Sequence, residues 1–194
     1  MSEEPAEIRA HYTKIALKRV RAMPAGQGAA IRERVGTELQ QRVRSSSSLD
    51  WLPLSLAVQV CDAIIDVLGE QGARRFWTEL MFDSYDRGML KPLTAMARGG
   101  LGQSGSSGPG ALLELAPRAF ALSTRGCGSL EFFAREGGGV TLTSVNLRPE
   151  ITRSRGFHCL FFGACQAMLD QFRSGGTVEV LRNEGGLTYD VRLG

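Results

Sequence analysis

Apolar residues recur at helical spacing over the first two thirds of the chain and alternate like strands only near its end. Residues 4–22 read as a weakly amphipathic helix that Pro24 ends, and residues 25–44 as a second, polar one. SSSSLD at 45–50 is a flexible or capping segment and the best boundary in the sequence. It predicts an N-terminal helical arm over 1–44 and a single α+β domain over 45–194. The strongest helix is LPLSLAVQVCDAIIDVLG, residues 52–69, with Pro53 suited to its first turn and Gly69 to its stop. It is apolar on most sides. Its narrow stripe of Gln59, Asp62 and Asp66 either faces water or lines a polar contact. EQGARRFWTELMFDSY follows as a helix whose apolar side is Phe76, Trp77, Leu80 and Met81. MLKPLTAMAR at 89–98 is a short helix, and GALLELAPRAFALST supplies another, bent or broken near Pro117.

The texture then changes. GSLEFFARE at 128–136 and GVTLTSVNL at 139–147 cluster or alternate β-formers around Gly137-Gly138, which signals a hairpin. RPEITRSRG reads as a loop. FHCLFFGACQAMLDQF, residues 157–172, is a long apolar helix, and TVEVLRNE with GLTYDVRL forms a second hairpin about Gly185-Gly186. Helices followed by ββαββ predict an α+β fold: a helical N-terminal half packed on a four-stranded antiparallel sheet that one helix crosses. Gly163 is expected to let that helix approach the sheet closely.

Composition changes this picture little. The 194 residues are 43% hydrophobic and 22% charged, enough for a full core without disulfides or metal. A net charge of +3 is too small to argue for nucleic acid. Residues 1–45 hold nine Lys or Arg against five acids, a local excess of +4, which reads as a solvated basic helix face. The start MSEEPAEIRA lacks an apolar signal region, and no apolar stretch is long enough to span a membrane. A cytoplasmic location with reduced thiols is the expectation.

The chemical candidates are few. GGLGQSGSSGPG at 99–110 resembles a phosphate cradle only superficially. No strand precedes it and no lysine follows Lys91, so neither a Walker loop nor a dinucleotide loop is met. It reads as a mobile hinge, or as a lid over a pocket. Cys159 is expected in the first turn of the 157–172 helix, where the helix dipole favours a thiolate. A thiol-based redox switch there is one functional reading. Cys159 and Cys165 stand six apart on divergent helix faces, which disfavours zinc. His11 and His158 are the only histidines, and no carboxylate pair or triad converges, so no enzyme is expected.

The aromatic residues offer the other reading. Trp77, Phe132, Phe157, Phe161 and Phe162, with Cys165, are the expected lining of an apolar ligand pocket between sheet and helices, of about 300 Å³ or more. The tail GFHCLFFGACQAMLDQF–GGTVEVLRNEGGLTYDVRLG resembles the end of 4-vinyl reductase-type domains, with Phe161-Phe162-Gly163 at the helix step. The layout also resembles haem nitric-oxide/oxygen-binding (H-NOX) domains. Over residues 50–194 the chain is similar to a myxobacterial paralogous family. The marks are Arg75-Phe76-Trp77, Leu90-Lys91-Pro92-Leu93, Ala116-Pro117-Arg118 and Arg148-Pro149-Glu150. The resemblance implies a sensory or regulatory ligand-binding fold, but it does not carry haem across. Residues 52–123 contain no histidine and no Tyr-x-Ser-x-Arg clamp appears, so neither haem nor any other cofactor is expected. The last hairpin also lacks the cysteines common in 4-vinyl reductase-type domains. The expectation is thus a non-enzymatic module for an apolar small molecule. The alternative is a protein-interaction adaptor or homodimerisation module acting through the N-terminal arm.

Overall fold

A computed structural model describes residues 5–88, 90–99, 108–135, 139–173, 175–183 and 186–193. Most of the glycine-serine run, residues 100–107, lies outside them, and with it the expected hinge or lid. The chain begins with β1 (Glu7–Arg9) and continues through α1 (Ala10–Arg21), α2 (Ala25–Val35) and α3 (Thr37–Ser45). It then forms β2 (Trp51–Pro53), the long α4 (Leu54–Arg87), α5 (Lys91–Arg98), α6 (Pro109–Glu114) and α7 (Ala116–Ser123). β3 (Thr124–Arg125), β4 (Ser129–Ala134) and β5 (Val140–Val145) lead to α8 (Pro149–Arg153) and α9 (Arg155–Gln171). β6 (Thr177–Asn183) and β7 (Gly186–Arg192) close the chain.

The two expected hairpins join into one antiparallel sheet of order β4-β5-β7-β6. Strand alternation puts Val140, Leu142 and Ser144 of β5, and Leu187, Tyr189 and Val191 of β7, on buried positions. The α+β expectation therefore holds, with small departures. RPEITRSRG is not all loop, because Pro149 opens the short α8. The polar helix at 25–44 is two helices, split at Gly36, where φ is +77°. α4 is likewise two helices broken at Gly69, where φ is +68° and ψ 174°. Only glycine adopts that geometry without strain, so the expected stop is a sharp bend.

The largest departure concerns residues 1–44. They are not a free arm. β1 is the central strand of a second, three-stranded sheet of order β2-β1-β3, pairing Ile8 with both Leu52 and Thr124. Three residues are too few to show a strand period, and non-local pairing overrides the local helical tendency. Ala10, Ala16, Val20 and Ile31 are fully buried in the same core as the rest of the chain. Arg19 also ties α1 to α4 through Glu79, and Arg125 ties β3 to β1 through Glu7.

α9 packs along α4, and two glycines make that approach possible. A Cβ on Gly156 would lie 2.2 Å from the Cys61 carbonyl oxygen, and one on Gly163 would lie 2.6 Å from the backbone and Cβ of Trp77. The two are seven residues apart and so share one helix face. Gly163 thus serves the contact with α4, not the sheet contact expected from the sequence.

Candidate functional site

Where the helical half meets both sheets, the packing leaves a cavity of about 70 Å³. β1, α1, α4, α7, α9 and the strands β3, β4, β5 and β7 all contribute to its wall. The wall is almost wholly apolar, with Met81, Phe120, Leu142, Phe157, Phe161 and Met168 among its residues. All three tyrosines of the chain, Tyr12, Tyr85 and Tyr189, line it as well.

The space is small because rings fill it. Phe161 stands at the centre of an aromatic cluster, 5.4 Å from Phe157, 5.5 Å from Tyr189 and 5.7 Å from Phe120 between ring centroids. Tilted and edge-on contacts at these distances are favourable in their own right. The expected pocket of about 300 Å³ is therefore corrected to a much smaller one.

The few polar groups on the wall are neutral. Ser123 Oγ donates to the Ala119 carbonyl at 2.7 Å, so the 3.2 Å contact between Tyr12 and Ser123 has the tyrosine as donor. Thr124 Oγ1 donates to the Phe120 carbonyl at 2.9 Å. Burial pushes the Tyr12 phenol up to about 12, against the opposing pull of its bond to Ser123. It pushes the Cys165 thiol up to about 12 as well. Tyr85 is held well above the ordinary phenol value by burial first and by its neighbours Tyr12 and Cys165 second.

The expected site residues divide. Phe157, Phe161 and Cys165 lie on the cavity wall, since positions 157, 161 and 165 fall on one face of α9. Trp77 packs beside Gly163 and against Phe76, at 5.3 Å between ring centroids, away from the cavity. Phe162 sits under the Arg74 guanidinium at 4.5 Å. Phe132 lines an open surface groove with Met96, Pro117 and Phe133. Tyr12, Tyr85 and Tyr189 were not expected. Their immediate neighbours in the sequence are polar, as in HYT, SYD and TYD, so no local pattern marks them.

Cys159 is corrected on two counts. α9 begins at Arg155, so Cys159 falls in its second turn, beyond the strongest reach of the dipole. The thiol is buried, and desolvation raises its pKa. Glu70 raises it further, while Arg74 and Arg155 pull it back. A protonated, enclosed thiol is a poor redox switch. It borders a polar recess of about 190 Å³ with Glu70, Arg74, Arg155 and His158. There Glu70 is ion-paired to both arginines.

The polar stripe of α4 resolves in part into a contact. Asp62 Oδ1 accepts from Ser154 Oγ at 2.6 Å and from the Gly156 N–H at 3.1 Å. Ser154 Oγ in turn accepts from the Phe157 N–H, capping α9. A carboxylate thus clamps the start of the helix that carries about a third of the cavity wall. Asp66 and Gln59 face outward along a shallow groove.

No family model matches the chain, and no curated protein matches it significantly. Solved structures do match. An unliganded Fe(II) H-NOX protein mutant from K. algicida aligns with a TM-score of 0.64 over 96% of this chain and 97% of that one, at 9% identity. Another structure, concerned with modulating haem redox potential through protein-induced porphyrin distortion, aligns at 0.55 over 96% and 100%, at 11% identity. At these identities the likeness is one of fold, and it covers nearly the whole chain. The protein has an H-NOX-like α+β fold.

That fold makes haem the group to test against the wall, and the residues present do not fit it. Among the described residues no histidine lines the cavity, and His158 Nε2 is instead 3.0 Å from the Ile151 carbonyl. The Tyr12 and Tyr85 phenols and the Cys165 thiol resist the ionisation that would make them iron ligands. Among the described residues no Lys or Arg lines it to meet propionates. Among the described residues no three His, Cys, Asp or Glu side chains form a group that could hold a metal ion, and no helix is long and apolar enough to cross a membrane.

Proposed function

We propose that this protein is a non-enzymatic sensory or regulatory module that holds a small, largely apolar molecule in the three-tyrosine cavity. The observation that carries the reading is the place of the cavity. An occupant there touches the N-terminal segment, α4, α7, α9 and the main sheet together, so its presence is felt by every layer. The volume supports one size class. A dry cavity of about 150 Å³ accepts benzene, so about 70 Å³ suits roughly three heavy atoms or one xenon atom. The fold lends support, since one structural neighbour is an H-NOX protein. The neutral wall favours binding over chemistry, because no group on it stands ready as a general base.

Propane binding followed by NMR, in the wild type and in Ala119→Leu, tests this. The larger side chain enters the cavity from α7. Saturable binding that the variant abolishes is expected; propane that leaves the wild-type spectrum unchanged refutes the reading.

A further inference from the structure

Away from the cavity, two apolar side chains stand on the surface among cations. In the small sheet Ile8, Leu52 and Thr124 turn inward, so Glu7, Arg9, Trp51 and Arg125 share its outer face. The Arg9 guanidinium stacks on Trp51 at 3.8 Å from the ring centroid, and that of Arg125 stands 4.7 Å from it. Just ahead of Trp51, the 46–50 loop carries Leu49, which at 66% is the most exposed large apolar side chain among the described residues. Hydrogen bonds fix this loop. Its Ser48 and Asp50 carbonyls accept from the His11 and Ala10 N–H groups at 3.1 and 2.9 Å, its Leu49 carbonyl from Arg9, and its Ser46 carbonyl from Lys14. Lys14 also donates to the Arg44 carbonyl at 3.2 Å, which brings the exposed Arg44 to the same end of the molecule. Four cations thus gather against two carboxylates. Glu7 is spent on Arg125, and Asp50 accepts from the Ser47 N–H of its own loop at 2.7 Å. Among the described residues Arg9, Lys14 and Arg44 have no ion-pair partner.

We propose that this face docks on an anionic membrane surface, with Leu49 and Trp51 entering the interfacial layer and the cations meeting the lipid headgroups. The contact is peripheral. Each Lys or Arg close to an anionic leaflet adds to the attraction, and a tryptophan ring suits the depth of the headgroups. Leu49 supplies the apolar anchor. Its loop is already held by hydrogen bonds from α1 and β1, so insertion costs little further ordering. Nucleic acid would use the cations but has no use for Leu49, and Arg9 already covers one side of the Trp51 ring on which a base would stack. The position also links the membrane to the interior. Arg9 faces outward from β1, while its neighbour Ile8 lines the cavity from the same strand.

Vesicles of phosphatidylcholine, with and without phosphatidylserine, test this on the full chain. The chain has two tryptophans, and Trp77 is 1% exposed, so a change of emission on binding reports Trp51. The chain should sediment with the phosphatidylserine vesicles and its emission should shift to the blue. Pure phosphatidylcholine should bind at least about tenfold more weakly. Raising the salt from about 0.1 M to about 1 M should weaken binding, since the screening length falls from about 10 Å to about 3 Å. Arg44→Gln should lower the affinity about fivefold, and Leu49→Ser about three- to tenfold. Both positions are exposed, so both variants should melt with the wild type. Failure to sediment with the anionic vesicles, binding without the blue shift, or binding that Leu49→Ser leaves unchanged would each overturn the proposal. Duplex DNA that displaces the chain from the vesicles at equal phosphate would overturn it too, and would give the face to nucleic acid instead.

Discussion

The substitution Gly163→Ala puts the packing account at risk in one atom. Gly163 lies in the middle of α9 and faces α4. An added Cβ would sit 2.6 Å from both the Trp77 carbonyl carbon and its Cβ, and 2.7 Å from the Thr78 nitrogen. These are backbone or near-backbone atoms, so no side-chain rotation relieves the clash. Ordinary contact begins at about 3.4 Å, so the helices must part by roughly 0.8 Å near this point. A gap of that size forfeits a quarter to a half of each dispersion contact it opens, and overpacking of this kind costs about 1–3 kcal/mol. The better helix propensity of alanine offsets about 1 kcal/mol. The net loss should be about 0–2 kcal/mol, up to roughly 8 °C in Tm for a chain of this size, with stability always below that of the control that follows. Thermal and urea unfolding measure it. Gly26→Ala is the control, because that glycine lies in helix α2 with nothing within 4 Å of the added carbon. It should be neutral or slightly stabilising. If Gly163→Ala proves as stable as Gly26→Ala, the close approach of α9 to α4 is wrong.

Three other outcomes follow from the same structure. Asp62→Ala removes the acceptor shared by Ser154 and Gly156 and should cost about 2–3 kcal/mol in urea unfolding; a change below ~0.5 kcal/mol would show that the carboxylate does not clamp α9. Deleting residues 1–44 takes away the central strand of the small sheet and the wall residues Ile8 and Tyr12, so circular dichroism should show a loss of cooperative unfolding rather than a folded, shortened domain. Stability should also fall as pH rises from about 9 towards 12. The Cys165 thiol stays protonated in the folded chain up to about 12, while in the unfolded chain it ionises near 9, so the unfolded state releases its proton first. Cys165→Ala should flatten that decline, and an unchanged slope would contradict the assignment.

Much of the fold could be read from the chain, because its long elements carry their own period. The helix over 157–172 and the two glycine-turned hairpins differ from the structure by only a few residues. The small sheet could not be read. Ile8 pairs with Thr124 across more than a hundred positions, and a three-residue strand has no period of its own. The site shows the same split. Phe157, Phe161 and Cys165 share one helix face and were legible together. Tyr12, Tyr85 and Tyr189 come from three distant segments, and only the folded chain brings them to one cavity. Trp77 and Phe162 were attractive for their size, yet they serve the α4–α9 contact and a guanidinium stack. Aromatic bulk reports burial, and burial alone does not say which cavity a ring faces.

The most direct test of the cavity is to fill it with a probe that makes no hydrogen bond. Met81 and Met168 both lie on the wall and are almost fully buried, so their methyl groups report from inside. Under xenon pressure, the ¹³C-methyl resonances of these two methionines should shift in a saturable way, while that of Met23, outside the wall, should not. Resonances that stay fixed, or that move together with Met23 in proportion to pressure, would show that the space is closed to ligands.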